Sequence, residues 1–223
     1  MRIDAIVALK TLSMTKKRLV PVLGDDAREA LVSAMAVDVL SLLQAASRIH
    51  TVHVICGDGW IEAGLLPDGV AAWREADAPE RGLNGVLEFV AMQSTAEAHL
   101  FMHADLPFLT QQDLSALIDA SEDRHAVFAP DTAREGTNAL LRWADQALPL
   151  RFGVNSFAQH CDAARSGSVR WRSVERFGLL MDLDAPTDLE RLNRCAEQLG
   201  GGTAAWSKQY QPQLDLPAIH CHP

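Results

Sequence analysis

Ala98-His99-Leu100-Phe101-Met102-His103-Ala104-Asp105-Leu106-Pro107-Phe108-Leu109 is an apolar run too short for a membrane, and it decides the fold. It reads as a strand that delivers a carboxylate at its carboxyl end, where Pro107 forbids further pairing. In an open α/β sheet the carboxyl ends of the strands form the ligand crevice, so Asp105 falls where a nucleotide or its metal would lie. A plainer role, capping the following turn, is equally open to an aspartate at this place.

Upstream, Ile3 to Leu9 reads as a first strand, Asp25 to Ala46 as a helix with acidic residues in its first turn, and Val52 to Cys56 as a second strand. Trp60 to Leu66 suits a short helix and Val70 to Trp73 a third strand, giving the β-α-β-α-β order of a parallel sheet with right-handed crossovers. Downstream, Thr110 and Asp113 stand at the N-cap and N3 positions of a helix running to about Ser121. Ala126 to Asp131 reads as a strand, Ser156 to Ser166 as a helix, Phe177 to Asp184 as the last strand, and Pro186 opens the last helix. Strand periodicity would place Asp182 and Asp184 on one face, about 6 to 7 Å apart.

The chain has 223 residues, enough for one α/β domain that buries on the order of 70% of its unfolded surface. Its 20 basic and 29 acidic residues leave a net charge of −9, which argues against a general nucleic-acid or anionic-membrane surface while allowing a local basic pocket. The four cysteines show no C-x-x-C pair or zinc-ligand spacing, which suits a reducing compartment. With no apolar run of spanning length and no leader-like opening, the expected location is cytoplasmic.

Within this acidic chain the loop after the first strand concentrates Lys10, Lys16, Lys17 and Arg18. Charge runs are often only solvated, but here the run follows the first strand, where anions meet backbone amides in nucleotide-binding folds. Gly82-Leu83-Asn84-Gly85 opens a helix with freedom for close backbone approach. Gly136-Thr137-Asn138 and Arg151-Phe152-Gly153, the latter followed by Ser156 at a helix start, are two further clusters suited to a phosphate or carboxylate.

Two aspartates at strand ends, without thiolate or imidazole clusters, suit a hard divalent cation such as Mg2+. The P-loop pattern is absent, and so is G-x-G-x-x-G after the first strand, which leaves nucleotidyl transfer between phosphates as the favoured chemistry. That reaction asks little acid–base work, because a phosphomonoester with a second pKa near ~6 is already ionised at neutral pH. A sugar-transferring enzyme of the same broad fold, using Asp182-x-Asp184, and a non-catalytic nucleotide-binding module are the competing readings.

Lys16-Lys17-Arg18-Leu19, Gly82-Leu83-Asn84, Ala104-Asp105-Leu106-Pro107, Gly136-Thr137-Asn138-Ala139-Leu140, Arg151-Phe152-Gly153 with Ser156-Phe157, and Leu183-Asp184-Ala185-Pro186-Thr187-Asp188-Leu189 occur in an order that resembles the phospholactate guanylyltransferase family of coenzyme F(420) biosynthesis. The resemblance covers about residues 1 to 196. It implies a three-layer, Rossmann-like GT-A-type nucleotidyltransferase fold with a mostly parallel central sheet, and condensation of GTP with a small phosphorylated three-carbon acid to give a GDP-linked acid and pyrophosphate. The acid would be 2-phospholactate, phosphoenolpyruvate or 3-phosphoglycerate. Carried over, Asp105 and Asp184 would hold magnesium with Asp182 as helper, and Lys16 and Arg18 would face the triphosphate as catalytic groups beside Asp105. Thr137, Asn138, Arg151, Gly153 and Ser156 would take the acid, and Lys10, Gly82 and Asn84 the nucleotide. Ala185 stands where the family usually has threonine, a lost helix cap worth ~1 kcal/mol that removes no metal ligand.

From 197 onward, Gly200-Gly201-Gly202, Pro212 and Pro217 break periodicity, so the expectation is a loosely structured extension outside the 1–196 domain. Its Trp206, Tyr210 and Leu216 would offer a face for a second copy, as in a homodimer. The terminal His220-Cys221-His222 lacks the four-ligand framework of structural zinc.

Overall fold

A computed structural model describes residues 1–12, 15–195, 197 and 199–210. Strands β1 (Ile3–Leu9), β2 (Ile49–Cys56), β3 (Ala71–Arg74), β4 (Ala98–Met102), β5 (Ala126–Pro130), β6 (Thr137–Trp143) and β7 (Trp171–Ser173) form one sheet in the order β3-β2-β1-β4-β6-β5-β7. All neighbouring pairs are parallel except the two that involve β6, which runs against both β4 and β5. The sheet is therefore mostly parallel, as expected. The chain leaves β1 toward β2 and β3 on one side and reaches β4 on the other, so the gap between β1 and β4 is the switch point at which a ligand crevice opens.

Eight helices accompany these strands among the described residues: α1 (Asp25–Ala45), α2 (Asp58–Glu62), α3 (Leu83–Gln93), α4 (Gln111–Asp119), α5 (Ser156–Ser166), α6 (Phe177–Leu180), α7 (Pro186–Arg194) and α8 (Gly201–Tyr210). Alternation in β1 sends Ile3, Ala5, Val7 and Leu9 into a core with α1, α2 and α4, while Ile6 joins α3 and α5 on the opposite face. Those two cores make the three layers. The expected cap of α4 is present: Asp113 N–H donates to Thr110 Oγ1 at 3.2 Å, and Thr110 N–H donates to Asp113 Oδ2 at 3.1 Å. No helix of the described residues is long and apolar enough to cross a membrane.

The structure corrects the reading of the last strand, for Phe177 to Leu180 form the short helix α6, and 181–185 belong to no sheet. The reason lies in the edges of the sheet. The place beside β4 is filled by β6 and the outer edge of β5 by β7, so no ladder is left for residues 177–184. Leu179 instead enters the core, Phe177 packs on Phe108 with ring centroids 5.1 Å apart, and one main-chain bond, Leu183 N–H to the Asp105 carbonyl at 3.1 Å, ties the segment to the end of β4. Strand β7 escapes the sequence reading because Trp171 is flanked by Arg170 and Arg172, the charged pattern that protects an edge strand.

A third core lies outside the layers and joins Leu19 and Leu23 after the basic loop to α1, α7 and α8. Residues 201–210, expected to be loose, form α8 and pack on α1. Asp38 Oδ1 and Oδ2 accept the Gly202 and Thr203 amides at 2.7 and 2.8 Å, and buried Trp206 donates through Nε1 to the Ala27 carbonyl at 2.8 Å. Trp206 is thus part of its own chain's core and gives no face to a second copy; Leu216 and the His220-Cys221-His222 run lie outside the described residues. Replacing Trp206 by Ala is expected to destabilise the protein by about 3–5 kcal/mol in denaturant unfolding, the range for truncating a buried aromatic ring. A change within experimental error would mean that α8 is a passenger.

Candidate active site

At the switch point the ends of β1 and β4, the start of β6, the start of α5 and the segment after α6 enclose a cavity of about 400 Å³. The antiparallel course of β6 matters here, because it brings an amino-terminal strand end to the carboxyl end of β4. Lys10, Lys16, Asp105, Asp182, Asp184, Thr137, Asn138, Gly153 and Ser156 all line the cavity. Nine of the expected site residues therefore converge from five separate parts of the chain. Arg18 stands exposed on the turn Lys17–Leu19, Arg151 is exposed, and neither lines the cavity.

The basic loop is held in an unusual conformation. Lys16 has φ 49° and ψ 41°, a left-handed geometry that few non-glycine residues adopt. Arg28 of α1, almost fully buried, explains how the loop is fastened: its Nη1 donates to the Leu12 and Thr15 carbonyls at 3.3 and 2.7 Å, while its Nη2 pairs with Asp25 at 2.8 Å. Lys16 Nζ then reaches two carboxylates, Asp105 Oδ2 and, at 2.5 Å, Asp184 Oδ1. Burial on its own would lower the Lys16 pKa, but the two carboxylates outweigh it and keep the ammonium firmly charged.

The same balance governs its partners. Burial opposes ionisation of Asp105, yet the Lys16 charge and hydrogen bond hold its carboxyl below the usual range. Asp182 has no such counter-ion within bonding reach; burial, and then the negative charges of Asp105 and Asp184, push it up to about 6. The cluster holds more negative charge than one lysine balances, and Asp105 Oδ1 is buried without a hydrogen-bond partner. An orphaned carboxylate oxygen beside two further carboxylates fits a hard divalent cation, which completes its shell with phosphate oxygens and water. No three acidic, His or Cys side chains among the described residues form a ready-made metal cage.

Opposite the Asp105–Asp182–Asp184 cluster the lining is mostly hydroxyl, amide and main chain, with the Asp131 carboxylate among it. Thr137 and Ser156, both almost fully buried, place their hydroxyl oxygens 3.2 Å apart, and Thr137 Oγ1 lies 3.0 Å from His160 Nδ1. Asp131 shapes the entry to β6 by accepting the Glu135 and Gly136 amides at 2.9 and 2.8 Å; a Cβ at position 136 would come within 2.8 Å of that carboxylate. Gly153 has φ 136°, a conformation that a side chain would strain. Gly153 and Ser156 thereby leave main chain and hydroxyl open to the cavity.

Asn138 and Asn84 line or approach the site with their amides already engaged. Asn138 Nδ2 donates to the Leu179 carbonyl at 2.9 Å, holding the end of α6 from which Asp182 and Asp184 descend. Asn84 accepts the Phe152 amide at 2.8 Å and donates to the Phe152 carbonyl at 3.0 Å, so it clamps the loop before Gly153; neither it nor Gly82 lines the cavity, although Leu83 between them does. His103, His160, Asp131 and Arg28 are structural members of the site absent from the sequence reading. His103 could have been found two residues before Asp105 at the end of β4, and His160 from its i+4 spacing to Ser156.

Architecture and crevice together define a nucleotidyltransferase. Among solved structures, a putative nucleotide-diphospho-sugar transferase from Desulfovibrio desulfuricans superposes with a TM-score of 0.79, covering 94% of this chain and 95% of that one at 17% identity. A nucleotidyl transferase from Methanothermobacter thermautotroptrophicus gives a TM-score of 0.61 over 85% and 95% at 18% identity; these are likenesses of fold. The family model described as guanylyl transferase CofC like matches residues 3–210. The chain is 38% identical over 219 residues to the phosphoenolpyruvate guanylyltransferase of Rubrobacter xylanophilus, covering 96% of this chain and 99% of that protein. It is 34% identical over 191 residues to the enzyme of the same name from Sphaerobacter thermophilus, covering 84% and 91%. The chain belongs to the CofC-like guanylyltransferase family.

Proposed function

We propose that this enzyme transfers the guanylyl group of GTP to the phosphate of a small phosphorylated three-carbon acid, with phosphoenolpyruvate as the first candidate, as a step of coenzyme F(420) biosynthesis. The observation that carries the reading is the division of one cavity into a carboxylate–lysine end and a hydroxyl–glycine end, where the Asp131 carboxylate is already engaged by two main-chain amides. The names of the relatives at 38% and 34% identity support phosphoenolpyruvate over the other acids. In the reaction a phosphate oxygen of the acid forms a bond to the α-phosphorus of GTP, the bond from that phosphorus to the β-bridging oxygen breaks, and pyrophosphate leaves with the electron pair.

The attacking phosphate is ionised at neutral pH, so no side chain need remove a proton from it. Thr137, steadied by Ser156, and the open main chain at Gly153 would hold the acid in line, and Lys10 and Lys16 would face the triphosphate and the charge developing on pyrophosphate. Asp105 and Asp184, assisted by Asp182, would hold magnesium, which when bound supplies charge neutralisation and orientation of the phosphate oxygens. The test is pyrophosphate release measured with GTP, ATP or CTP against phosphoenolpyruvate, 2-phospholactate and 3-phosphoglycerate. Release is expected with GTP, phosphoenolpyruvate and magnesium together, and to vanish when any one is omitted. No release with any pairing would overturn the proposal.

A further inference from the structure

We propose that His160 is a positioning residue of the acid subsite: its neutral imidazole, protonated on Nδ1, commits the Thr137 hydroxyl to donate into the cavity while its Nε2 anchors the loop at Arg151. The inference rests on the acid-transfer reading above and assigns a role to a residue that touches neither substrate.

The argument is one of hydrogen-bond accounting. His160 is fully buried, its ring 5.1 Å from Phe152 edge-on and 5.7 Å from Phe128. Its Nε2 lies 2.9 Å from the Arg151 main-chain nitrogen, which can only donate; Nε2 must therefore offer a lone pair. A neutral ring with a bare Nε2 carries its hydrogen on Nδ1, and Nδ1 lies 3.0 Å from Thr137 Oγ1. Ser156 Oγ, 3.2 Å away, donates to the same oxygen. A hydroxyl has two acceptor lone pairs, and both are now used. The hydrogen of Thr137 is left to turn toward the cavity that Thr137 lines, where an incoming carboxylate or phosphate would accept it.

Electrostatics supports the neutral ring. Burial pushes the His160 pKa down to about 4 against the opposing hydrogen bond of the Ser156 carbonyl, and the nearby Arg151, Arg142 and His103 push it the same way as burial. Arg142 is itself paired with Glu88 at 2.5 Å. On the other side of the ring, Arg151 and Phe152 are fixed in succession, one by His160 and the next by Asn84, and this double hold leads directly into Gly153 with its positive φ.

Two substitutions separate the halves of the role. His160→Gln can keep an acceptor for the Arg151 amide but has no donor at the Nδ1 position, whereas His160→Asn keeps the donor. Loss of a donor that acts on an anion predicts a rise of at least ~10-fold in the acid KM for His160→Gln, with the GTP KM and kcat changed by less than ~3-fold. His160→Asn should restore most of the acid affinity. Independently of turnover, ¹⁵N ring spectra of the wild-type protein should show a single Nδ1–H tautomer from about pH 6 to 8. An Nε2–H tautomer overturns the proposal even if both variants fail to fold, and so does an equal rise in KM for acid and GTP. Wild-type enzyme that turns over while His160→Gln keeps its acid KM overturns this role alone; wild-type enzyme inert toward every acid overturns the function with it.

Discussion

Asp105→Asn is expected to lower kcat by at least ~100-fold while the protein stays folded. The substitution keeps the shape of the side chain but removes the charge that faces Lys16 and the orphaned oxygen available to a cation. Lys16 retains Asp184 at 2.5 Å, so the ammonium is not left unpaired and the stability loss should be on the order of 1 kcal/mol, well below the cost of stranding a buried charge. The check is a pair of measurements: single-turnover guanylyl transfer, and a Mn2+ titration followed by electron paramagnetic resonance. Both activity and metal affinity should fall. Full activity in the variant would remove Asp105 from the chemistry, and a metal affinity equal to wild type would remove it from the metal.

Lys16→Met should move the same two measurements in opposite directions. With the ammonium gone, Asp105 and Asp184 lose the charge they share beside Asp182, and a divalent cation or a proton is left to balance the three carboxylates. Metal affinity should rise at least ~3-fold, since the cation no longer displaces a bonded lysine. Turnover should nevertheless drop by ~10²–10³-fold, the usual cost of losing one preorganised group at a site of developing charge. Weaker metal binding in this variant would show that the lysine assists the cation rather than holding its place.

Much of this site was readable because its residues mark interruptions in regular patterns. Asp105 stands where an apolar strand meets Pro107, and Thr137 and Ser156 stand where small residues precede a strand and a helix. The succession of strands and helices through β3 followed from the alternation of patterns, and the capping box of α4 from two residues three apart. What failed was decided by competition between distant segments. Residues 177–184 have strand-like composition but find the edges of the sheet occupied by β6 and β7, and no local pattern announces that. The glycines at 200–202 resemble a linker until Asp38, far away in sequence, caps the helix they begin. Arg28 was silent for a similar reason: a buried polar residue acquires meaning only from the groups it faces, here the Leu12 and Thr15 carbonyls.

The reversal of β6 has a bearing on how such an enzyme could diversify. By turning one strand around, the chain gathers Asp131, Gly136, Thr137, Gly153, Ser156 and His160 into a single stretch of sequence, whereas the lysines and carboxylates of the other half are scattered from Lys10 to Asp184. On the proposed reading, the acid subsite is thus nearly a cassette. If Thr137 and Gly153 hold the acid as proposed, a segment exchange over residues 131–160 between relatives is expected to carry the choice of acid with it, so that new acceptors can be explored without rebuilding the reaction.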